Sequence, residues 1–408
     1  MNFLLLYHYT VTAALLLVLI NFIVNNILFK NVASFAQTEQ VKNSPPLVSV
    51  LIPARDEAKN IKRCVRSLLK QDYPNIEILV LDDNSSDGTG QIVRQMGKKD
   101  SRVRLITGKP LKNGWMGKSY ACHQLSKHAD GEYLIFTDAD TIHLSSSVSD
   151  SVNCLTANNL DAMSVYPTQI MVTIHERMLI TFISFAILSF LPLVLIKKSR
   201  HPLFCTAIGQ FILFKRDVYK KIGGHKSIKK EILDDVKISK QVKRCGYRFM
   251  IFDGSGDIYC RMYRSFSGAV RGYSKVIFAA FDFHISIQFI VTMLISILFL
   301  FPFILLPLGI LIYDLPAIVI NLIILQIAII FVIRGVLAIR FKSRVLDAFL
   351  HPLSVLYIIL VSVDSILQSK IGAGIYWKGR IYDASSNRDE LKLVKDSSEE
   401  CSPDLGSK

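Results

Sequence analysis

Tyr133-Leu-Ile-Phe-Thr-Asp-Ala-Asp140 is the stretch that decides the fold, because an apolar run ends here on two carboxylates. The apolar residues are typical of a buried β-strand, and Asp138 and Asp140 stand at its end. Side chains at positions i and i+2 of a strand point to the same side. Two carboxylates placed in this way can hold Mg²⁺ or Mn²⁺ together with diphosphate oxygens. A D-x-D triplet is common by chance, so its place in the order of strands carries the interpretation.

Short strands and helices alternate around this stretch. Helical spacing covers 57–70, 87–97 and 118–129, and the strand-like runs are 48–52, 76–81, 103–107 and 133–137. The alternation predicts an α/β fold with a mostly parallel, doubly wound sheet. Ligands of such sheets bind at the carboxyl ends of the strands. The polar motifs of this chain fall at those ends.

Two polar turns follow two of the predicted strands. The first offers backbone amides and a carboxylate for a base and ribose, from Pro53, Ala54, Arg55 and Glu57. In the second, Asp82 and Asp83 can accept the imide N–H of uracil or ribose hydroxyls. The alternatives are a capped helix start and an Asx-rich turn with Asp87 as the cap. The two turns together, at this spacing, favour nucleotide binding.

The motif Gly114-Trp115-Met116-Gly117-Lys118 opens the next predicted helix. Its glycines allow close backbone approach, and amides at a helix N-terminus favour anions. It is not a Walker A loop, because the G-x-x-x-x-G-K-[ST] spacing fails. We expect Trp115 and Lys118 in the nucleotide-sugar site, with a plain surface loop as the alternative.

Two charged motifs lie further along the chain. Asp234 and Asp235 stand where helical spacing begins, so one carboxylate could take the proton of an attacking hydroxyl, or both could only cap the helix. Arg261 and Arg264 precede an amphipathic stretch. They could hold a diphosphate leaving group, or contact lipid headgroups from a basic interface helix.

The chain as a whole is apolar and basic. Of its 408 residues 51% are hydrophobic, and its formal net charge is +15. The basic excess suits either nucleic acid or an anionic membrane surface with a phosphate-bearing substrate. No zinc knuckle, RNP pattern or basic zipper occurs, so we expect no nucleic acid partner. The seven cysteines are scattered without a C-x-x-C pair, which indicates reduced core residues and no zinc site.

Apolar runs predict a multi-pass protein of the cell membrane. Residues 1–29 form a transmembrane anchor, whose helix would be about 40 Å long. Residues 30–46 form a polar linker with lysines, so the positive-inside rule puts the catalytic domain, 47–260, in the cytoplasm. Within it, the run 178–196 could span. Because motifs of one site lie on both sides of that run, we expect a helix in the membrane interface.

The C-terminal third contains an amphipathic interface segment, 261–284, and transmembrane or re-entrant helices over 285–370. A hairpin of 285–313 and 315–333 would end near Arg334 and Arg340 on the cytoplasmic side. The run 345–367, interrupted by His351-Pro352 and Asp364, is expected not to cross fully. Trp377-Lys-Gly-Arg380 would then stay cytoplasmic. The tail, 371–408, would be cytosolic and disordered from about 384.

The motifs resemble, in kind and order, a family 2 glycosyltransferase with a GT-A-type fold, over about residues 47–265. The resemblance rests on Pro53–Glu57, Asp82-Asp83, Asp138–Asp140, Asp234-Asp235 and Arg261–Arg264. A narrower resemblance is to the branch of carotenoid (chlorobactene and diaponeurosporenoate) and hopanoid-associated glucosyltransferases. Its motifs are Gly114–Lys118, Gly209–Phe211, Gly223–His225 and Trp377–Arg380.

This resemblance implies an inverting, single-displacement transfer of a hexose, glucose, from a UDP-sugar to a membrane lipid. Asp140 with Asp138 would hold the metal, Lys118 and Arg264 would stabilise the leaving diphosphate, and Asp235 or else Asp234 would be the general base. Asp82 or Asp83, with Glu57, would help to read the nucleotide. The alternatives are a processive polysaccharide synthase and a membrane scaffold with a degenerate transferase domain. Ser265, where the family often has Trp, weighs against the synthase.

Overall fold

The computed structural model describes residues 2–36, 45–263, 265–371, 375–377 and 380–382. The chain divides into two compact units. An α/β unit comprises Phe29–Ile170, Leu195–Met262 and Gly374–Lys408, and a helical unit comprises Met1–Leu28, Met171–Val194 and Tyr263–Ala373. Each unit therefore contains segments that are distant in sequence.

An eight-stranded sheet forms the centre of the α/β unit, with strand order β3-β2-β1-β4-β7-β6-β8-β5. The strands are β1 Val48–Ala54, β2 Ile76–Asp82, β3 Val103–Thr107, β4 Tyr133–Thr137, β5 Thr141–His143, β6 Ala162–Gln169, β7 Phe211–Lys215 and β8 Phe249–Cys260. The first four strands in chain order lie side by side and run parallel. Because of this, the loops that follow β1, β2 and β4 lie at one edge of the sheet.

The other half of the sheet is mixed. Strand β7 is antiparallel to both of its neighbours, β4 and β6. Strand β8 is parallel to β6 and antiparallel to β5. The mostly parallel sheet expected from the sequence is therefore present in the β3-β2-β1-β4 half alone.

Helices cover the sheet because their apolar faces match its buried side chains. They are α2 Ile61–Leu68, α3 Thr89–Gly97, α4 Gly117–His128, α5 Ser147–Ala157, α8 Arg216–Lys221 and α9 Asp234–Arg244. Leu125 of α4 and Ile238 of α9 are fully buried in one cluster with Leu51, Leu134 and Phe214 of the strands. This cluster fixes where α4 and α9 begin relative to the sheet. A short antiparallel pair, β9 Ile375–Trp377 and β10 Arg380–Tyr382, belongs to the same unit.

The segment predicted as a polar linker makes defined contacts over 30–36, where it is described. A 3₁₀ turn spans Val32–Phe35, and Val32 is fully buried. Asn31 Nδ2 donates to Ser255 O at 2.8 Å, and Asp253 N donates to Lys30 O at 2.9 Å. The apolar side chain and these bonds tie the segment to β8. Residues 37–44 lie outside the described residues.

The helical unit contains α1 Asn2–Leu28, α6 Ile174–Phe190, α10 Phe266–Ala280, α11 Ile285–Phe299, α12 Phe301–Leu311, α13 Ala317–Arg340 and α14 His351–Ile371. Among the described residues, three stretches are long and apolar enough to cross a membrane: Phe3–Leu28, Ala317–Arg340 and Val345–Leu367. Helices α10 and α11 form a bent pair, at 112°, that could count as one broken span. Whether Val345–Leu367 crosses fully stays a prediction.

Two details of the predicted hairpin were wrong. The run 285–313 is two helices that meet at Leu300, since Pro302 has no amide hydrogen to continue the ladder. The second arm extends past 333 to Arg340. Arg334 therefore lies inside a helix rather than at its end. It is buried, and its guanidinium donates to Thr181 O at 2.9 Å and Thr181 Oγ1 at 2.7 Å.

The predicted interface helix, 178–196, is also two helices. Helix α6 ends at Phe190 and a short helix, α7 Leu193–Lys198, follows Leu191-Pro192. Proline cannot donate the hydrogen bond that would continue α6, which explains the break. The placement of these residues in a membrane interface stays a prediction, as does the tail disorder from about 384, which lies outside the described residues.

Candidate active site

Acidic side chains from two elements surround Lys118, the second residue of α4. Its Nζ lies 2.7 Å from Asp138 Oδ1, just beyond β4, and 4.0 Å from Asp234 Oδ2, at the start of α9. The side chains of Lys118, Asp138 and Asp234 are 26%, 30% and 14% exposed. The structure thus brings together, in a partly exposed cluster, residues that the sequence separates by up to about a hundred positions.

Asp235 is held by backbone amides rather than left free in solvent. Its Oδ2 accepts a hydrogen bond from Gly209 N at 2.9 Å, and its Oδ1 accepts one from Val236 N at 2.7 Å. A Cβ atom on residue 209 would lie 3.1 Å from Lys118 Nζ and 3.2 Å from Asp235 Oδ2. A side chain at 209 would therefore require Lys118 or Asp235 to shift by a few tenths of an ångström.

Asp140 occupies the turn between β4 and β5, at the edge where Thr141 pairs with Cys260 of β8. Its Oδ1 is buried and has no hydrogen-bond partner among the residues that the structure describes. In the same part of the chain no group of three or more His, Cys, Asp or Glu side chains is placed to hold a metal. Two carboxylates with one unpartnered oxygen fit a Mg²⁺ or Mn²⁺ ion that takes its other ligands from substrate phosphates and water.

Burial and mutual repulsion raise the pKa values of these carboxyl groups. Burial, then the charges of Asp138 and Glu57, raise the pKa of Asp140 to about 7. Burial raises the pKa of Asp138 although Lys118 opposes it. Burial and Asp234 raise the pKa of Asp235 to about 6. The site therefore concentrates negative charge in a shielded place, which favours a bound cation and a carboxylate that can accept a proton.

Lys118 keeps its positive charge in this setting. Burial lowers its pKa, but Asp138 and Asp234 more than offset that effect, so the pKa stays well above its usual value. A cation fixed beside an acidic cluster is suited to contact a diphosphate.

The predicted nucleotide-reading turns lie together at the ends of β1 and β2. Asp83 N donates to Ala54 O at 2.8 Å, and Arg55 Nη1 donates to Asp83 O at 2.6 Å. Asp82 Oδ1 accepts from Ser85 N at 3.0 Å. Pro53 and Ala54 are the last two residues of β1. Strand pairing and these bonds make the two turns one connected edge.

Side chains of the second turn fix the first. Glu57 N donates to Thr89 Oγ1 at 2.8 Å, and Ala58 N donates to Asp87 Oδ2 at 2.8 Å. Asp87 also accepts from Thr89 N at 3.0 Å. Asp87 therefore links the two turns and also binds the amide of Thr89 at the start of α3, although the N-cap residue of that helix is Gly88.

The side chain of Asp83 is paired with a residue near the C-terminus. Arg380 Nη1 lies 2.5 Å from Asp83 Oδ2, and Arg380 Nη2 lies 2.8 Å from Asp83 Oδ1. This two-pronged geometry is the strongest form of arginine–carboxylate pair.

The remaining predicted residues have less definite places. Trp115 packs against the rings of Tyr120 and His123, with centroids 5.2 and 5.0 Å away. Arg261 directly follows Cys260, the last residue of β8, at the site's edge of the sheet. Arg264 lies outside the described residues. The roles of Trp115, Arg261 and Arg264 in binding a nucleotide sugar stay predictions.

Sequence reasoning assigned no role to Gly209 or Arg380. Both lie in motifs noted for their resemblance to a family branch, Gly209–Phe211 and Trp377–Arg380, and the second motif was also expected on the cytoplasmic side near the site. A glycine just before a predicted strand is a weak signal by itself. Only the fold places one beside Asp235 and the other beside Asp83.

Comparisons with known proteins agree with this geometry. Residues 49–223 match the model for glycosyl transferase family 2. The matched residues make up less than half of the chain. The matched stretch includes Lys118, Asp138 and Asp140, and it ends before Asp234 and Asp235.

Two curated relatives carry the same name. The chain is 29% identical, over 56% of its length and 60% of the relative, to a 4,4'-diaponeurosporenoate glycosyltransferase of Staphylococcus haemolyticus. It is 26% identical, over 59% of its length and 63% of the relative, to a protein of that name from Staphylococcus aureus. The matches thus cover less than two thirds of these relatives.

A solved structure confirms the fold class. The mannosyltransferase PcManGT from Pyrobaculum calidifontis, in complex with GDP-Man and Mn²⁺, superposes with a TM-score of 0.53 at 17% identity. The match covers 90% of this chain and 99% of that one. The predicted α/β, GT-A-type fold with apolar helices is therefore confirmed.

Proposed function

We propose that the chain is an inverting hexosyltransferase that moves glucose from UDP-glucose to a carotenoid or hopanoid-type lipid. One observation carries this proposal: Lys118 bridges Asp138 and Asp234 at the carboxyl edge of the sheet. Lys118 can thereby contact the diphosphate, while neighbouring carboxylates can bind a metal and accept a proton. A direct displacement at a sugar carbon needs these groups close together.

Asp235 is the proposed general base for an acceptor hydroxyl, with Asp234 the second candidate. The two backbone amides fix the Asp235 carboxylate in one orientation. Its pKa of about 6 leaves it ionised at neutral pH yet more basic than an ordinary aspartate. The proton of the hydroxyl would pass to Asp235 as the oxygen bonds to the sugar carbon and the diphosphate leaves from the opposite face.

The donor end of the site consists of charges that match a nucleoside diphosphate. Lys118, with Arg261 and Arg264 as further candidates, would balance the charge that develops on the leaving diphosphate. Asp138 and Asp140 would hold Mg²⁺ or Mn²⁺, which neutralises diphosphate charge. The edge formed by Glu57, Asp82 and Asp83 would contact the base and ribose. The resemblance of this edge to family 2 enzymes supports uridine as the nucleoside of the donor.

A lipid acceptor is supported by the relatives and by the apolar helices. The curated relatives are named for a carotenoid acid, diaponeurosporenoate. Three described stretches are long and apolar enough to cross a membrane. An enzyme anchored in this way meets an acceptor that dissolves in the bilayer, with its α/β unit in the cytoplasm where nucleotide sugars occur.

The test is donor consumption by the full chain purified in detergent with Mn²⁺. UDP-glucose, UDP-galactose, UDP-N-acetylglucosamine and GDP-mannose are supplied in turn with lipid acceptors, and nucleotide release is measured. We expect acceptor-dependent release of UDP from UDP-glucose, lost in Asp140→Ala and kept in Asp217→Ala, which changes an exposed aspartate of α8. If no donor is consumed and no nucleotide binds, the chain is a scaffold and the proposal is wrong.

A further inference from the structure

Strand β10 brings Arg380 to the predicted nucleotide edge of the α/β unit. Its guanidinium makes two hydrogen bonds to the carboxylate of Asp83, at 2.5 and 2.8 Å. The side chains are 15% and 7% exposed, so both charges are largely withdrawn from water. Nearly three hundred residues separate the two partners along the chain.

Asp83 has little freedom apart from this pair. Its amide donates to Ala54 O, which continues the pairing of β1 and β2, and its carbonyl accepts from Arg55 Nη1 at 2.6 Å. A buried carboxylate without a partner is strongly destabilising, so the pair with Arg380 stabilises the side chain of Asp83 at this place. The planar fork of arginine fixes the plane of the carboxylate, which the point charge of a lysine would not do.

The pair leaves part of the carboxylate available. An ionised carboxylate has about four acceptor positions, and the two hydrogen bonds of Arg380 use two of them. Donors of a nucleotide, such as an imide N–H or ribose hydroxyls, could occupy the others without breaking the pair. The arrangement is thus built to orient Asp83 and not only to neutralise it.

We propose that Arg380 is a positioning residue of the donor site, which holds Asp83 in the orientation that binds the base or ribose of a nucleoside diphosphate. This inference rests on the proposed function, since it assumes a nucleotide donor. The C-terminal β9–β10 pair then completes the nucleotide end of a site whose other residues end at Arg264. Loss of Arg380 would weaken donor binding and leave the chemical step, at the Lys118 cluster, unchanged.

The experiment measures binding of UDP with Mn²⁺ to the full chain in detergent, by calorimetry, and donor KM and kcat in parallel. We expect Arg380→Gln and Asp83→Asn each to weaken UDP binding about tenfold or more, as for a lost hydrogen bond to a charged group. Arg380→Lys should fall between Arg380→Gln and the unchanged chain. The kcat at saturating donor should stay within about threefold, since Arg380 acts on binding.

The double variant Asp83→Asn with Arg380→Gln tests most directly whether Arg380 acts through Asp83. If Arg380 acts through Asp83, the double variant binds UDP no more weakly than the worse single variant. Arg244→Gln, which changes an exposed arginine in the last turn of α9, is the matched control and should bind like the unchanged chain. Unfolding midpoints without nucleotide show whether each variant is folded.

The outcomes separate this inference from the proposed function. If the unchanged chain binds none of UDP, GDP or ADP, the proposed function fails. If it binds UDP and Arg380→Gln binds equally well, or if the two single effects add in the double variant, the positioning role is wrong while the function stands. Should Arg380→Gln fail to fold, Arg380→Lys decides, and unchanged UDP affinity there overturns the inference.

Discussion

The ammonium group of Lys118 lies 2.7 Å from Oδ1 of Asp138, where the first turn of α4 meets the end of β4. The lysine therefore neutralises one of the two carboxylates proposed to bind a metal. A Mg²⁺ or Mn²⁺ ion arriving with a diphosphate would compete for the same oxygen. Donor binding is then expected to shift the Lys118 ammonium from the Asp138 carboxylate toward phosphate oxygens, because the metal would neutralise the carboxylate in its place.

Replacing Lys118 should remove most of the activity. We expect Lys118→Met to lower kcat about 100-fold or more, because a fixed cation beside the leaving group is lost. Lys112→Met, at an exposed lysine in the preceding loop, is the matched control and should keep its activity. UDP release in the presence of donor and acceptor measures both. Similar loss in the two variants would point to general damage instead of a site role.

The role of Asp235 depends on the acceptor. Asp235→Asn should lower transfer to a hydroxyl acceptor by about 10²–10⁴-fold, since no base remains to take its proton. A carboxylic acid acceptor is already ionised at pH 7, so transfer to it should weaken only modestly. Rates with paired alcohol and acid forms of one carotenoid give the comparison. Equal loss with both acceptors would exclude Asp235 as the base.

The pH dependence of the transfer rate should also differ between hydroxyl and carboxylate acceptors. The pKa of Asp235 is raised to about 6 by burial and Asp234, and the base works only when ionised. Transfer to a hydroxyl should therefore fall about tenfold per pH unit below about pH 6 and level off above it. With a carboxylate acceptor this acid limb should be absent near pH 6. Profiles of kcat from pH 5 to 8, at saturating donor and Mn²⁺ so that a bound metal would keep Asp140 ionised, test this. A limb near pH 6 shared by both acceptors would contradict it.

Gly209 should tolerate no side chain. In Gly209→Ala the new methyl group would meet Lys118 Nζ and Asp235 Oδ2 at 3.1 and 3.2 Å, so these groups must shift. We expect a fall in kcat of about tenfold or more, because small displacements of reacting groups are costly. Gly335→Ala, in α13 with open space at its Cβ, should be active. An unaffected kcat in Gly209→Ala would show that its contact with Asp235 is dispensable.

Tyr219 should matter for stability and not for chemistry. Its buried hydroxyl lies 2.7 Å from His225 Nδ1 and accepts from His225 N at 3.1 Å. Tyr219→Phe leaves these groups without a partner, at a cost of about 1–3 kcal/mol. The unfolding midpoint should fall by several degrees while kcat is kept. Tyr247→Phe, whose hydroxyl bonds to no residue in the described part of the chain, should leave the midpoint unchanged.

Local patterns predicted the first half of the sheet well. The runs 103–107 and 133–137 are strands β3 and β4 with those bounds. Strand β4 is buried throughout, and a buried strand is typically a continuous apolar run. Helices α3 and α4 begin within two residues of their predicted starts. Asp138 and Asp140 are predicted as metal ligands because they follow such a strand directly.

The sequence patterns do not predict contacts between residues that are distant along the chain. The reversed direction of β7 depends on pairing with β4 and β6, and nothing within residues 211–215 encodes it. The same holds for Arg380, whose partner Asp83 lies nearly three hundred residues away. Arg334 shows a different error. Its charge predicts the end of a membrane helix, but its guanidinium donates hydrogen bonds to Thr181 inside the helical unit.

We propose that the acidic cluster around Lys118 transfers a sugar to a membrane lipid. Mass spectrometry of lipid extracts tests it most directly, from cells fed carotenoid and hopanoid precursors that express the chain or its Asp140→Ala variant. We predict one lipid class carrying an added hexose of about 162 Da with the intact chain and none with the variant. Identical lipids in both cultures, with both proteins present in the membrane, would contradict the claim.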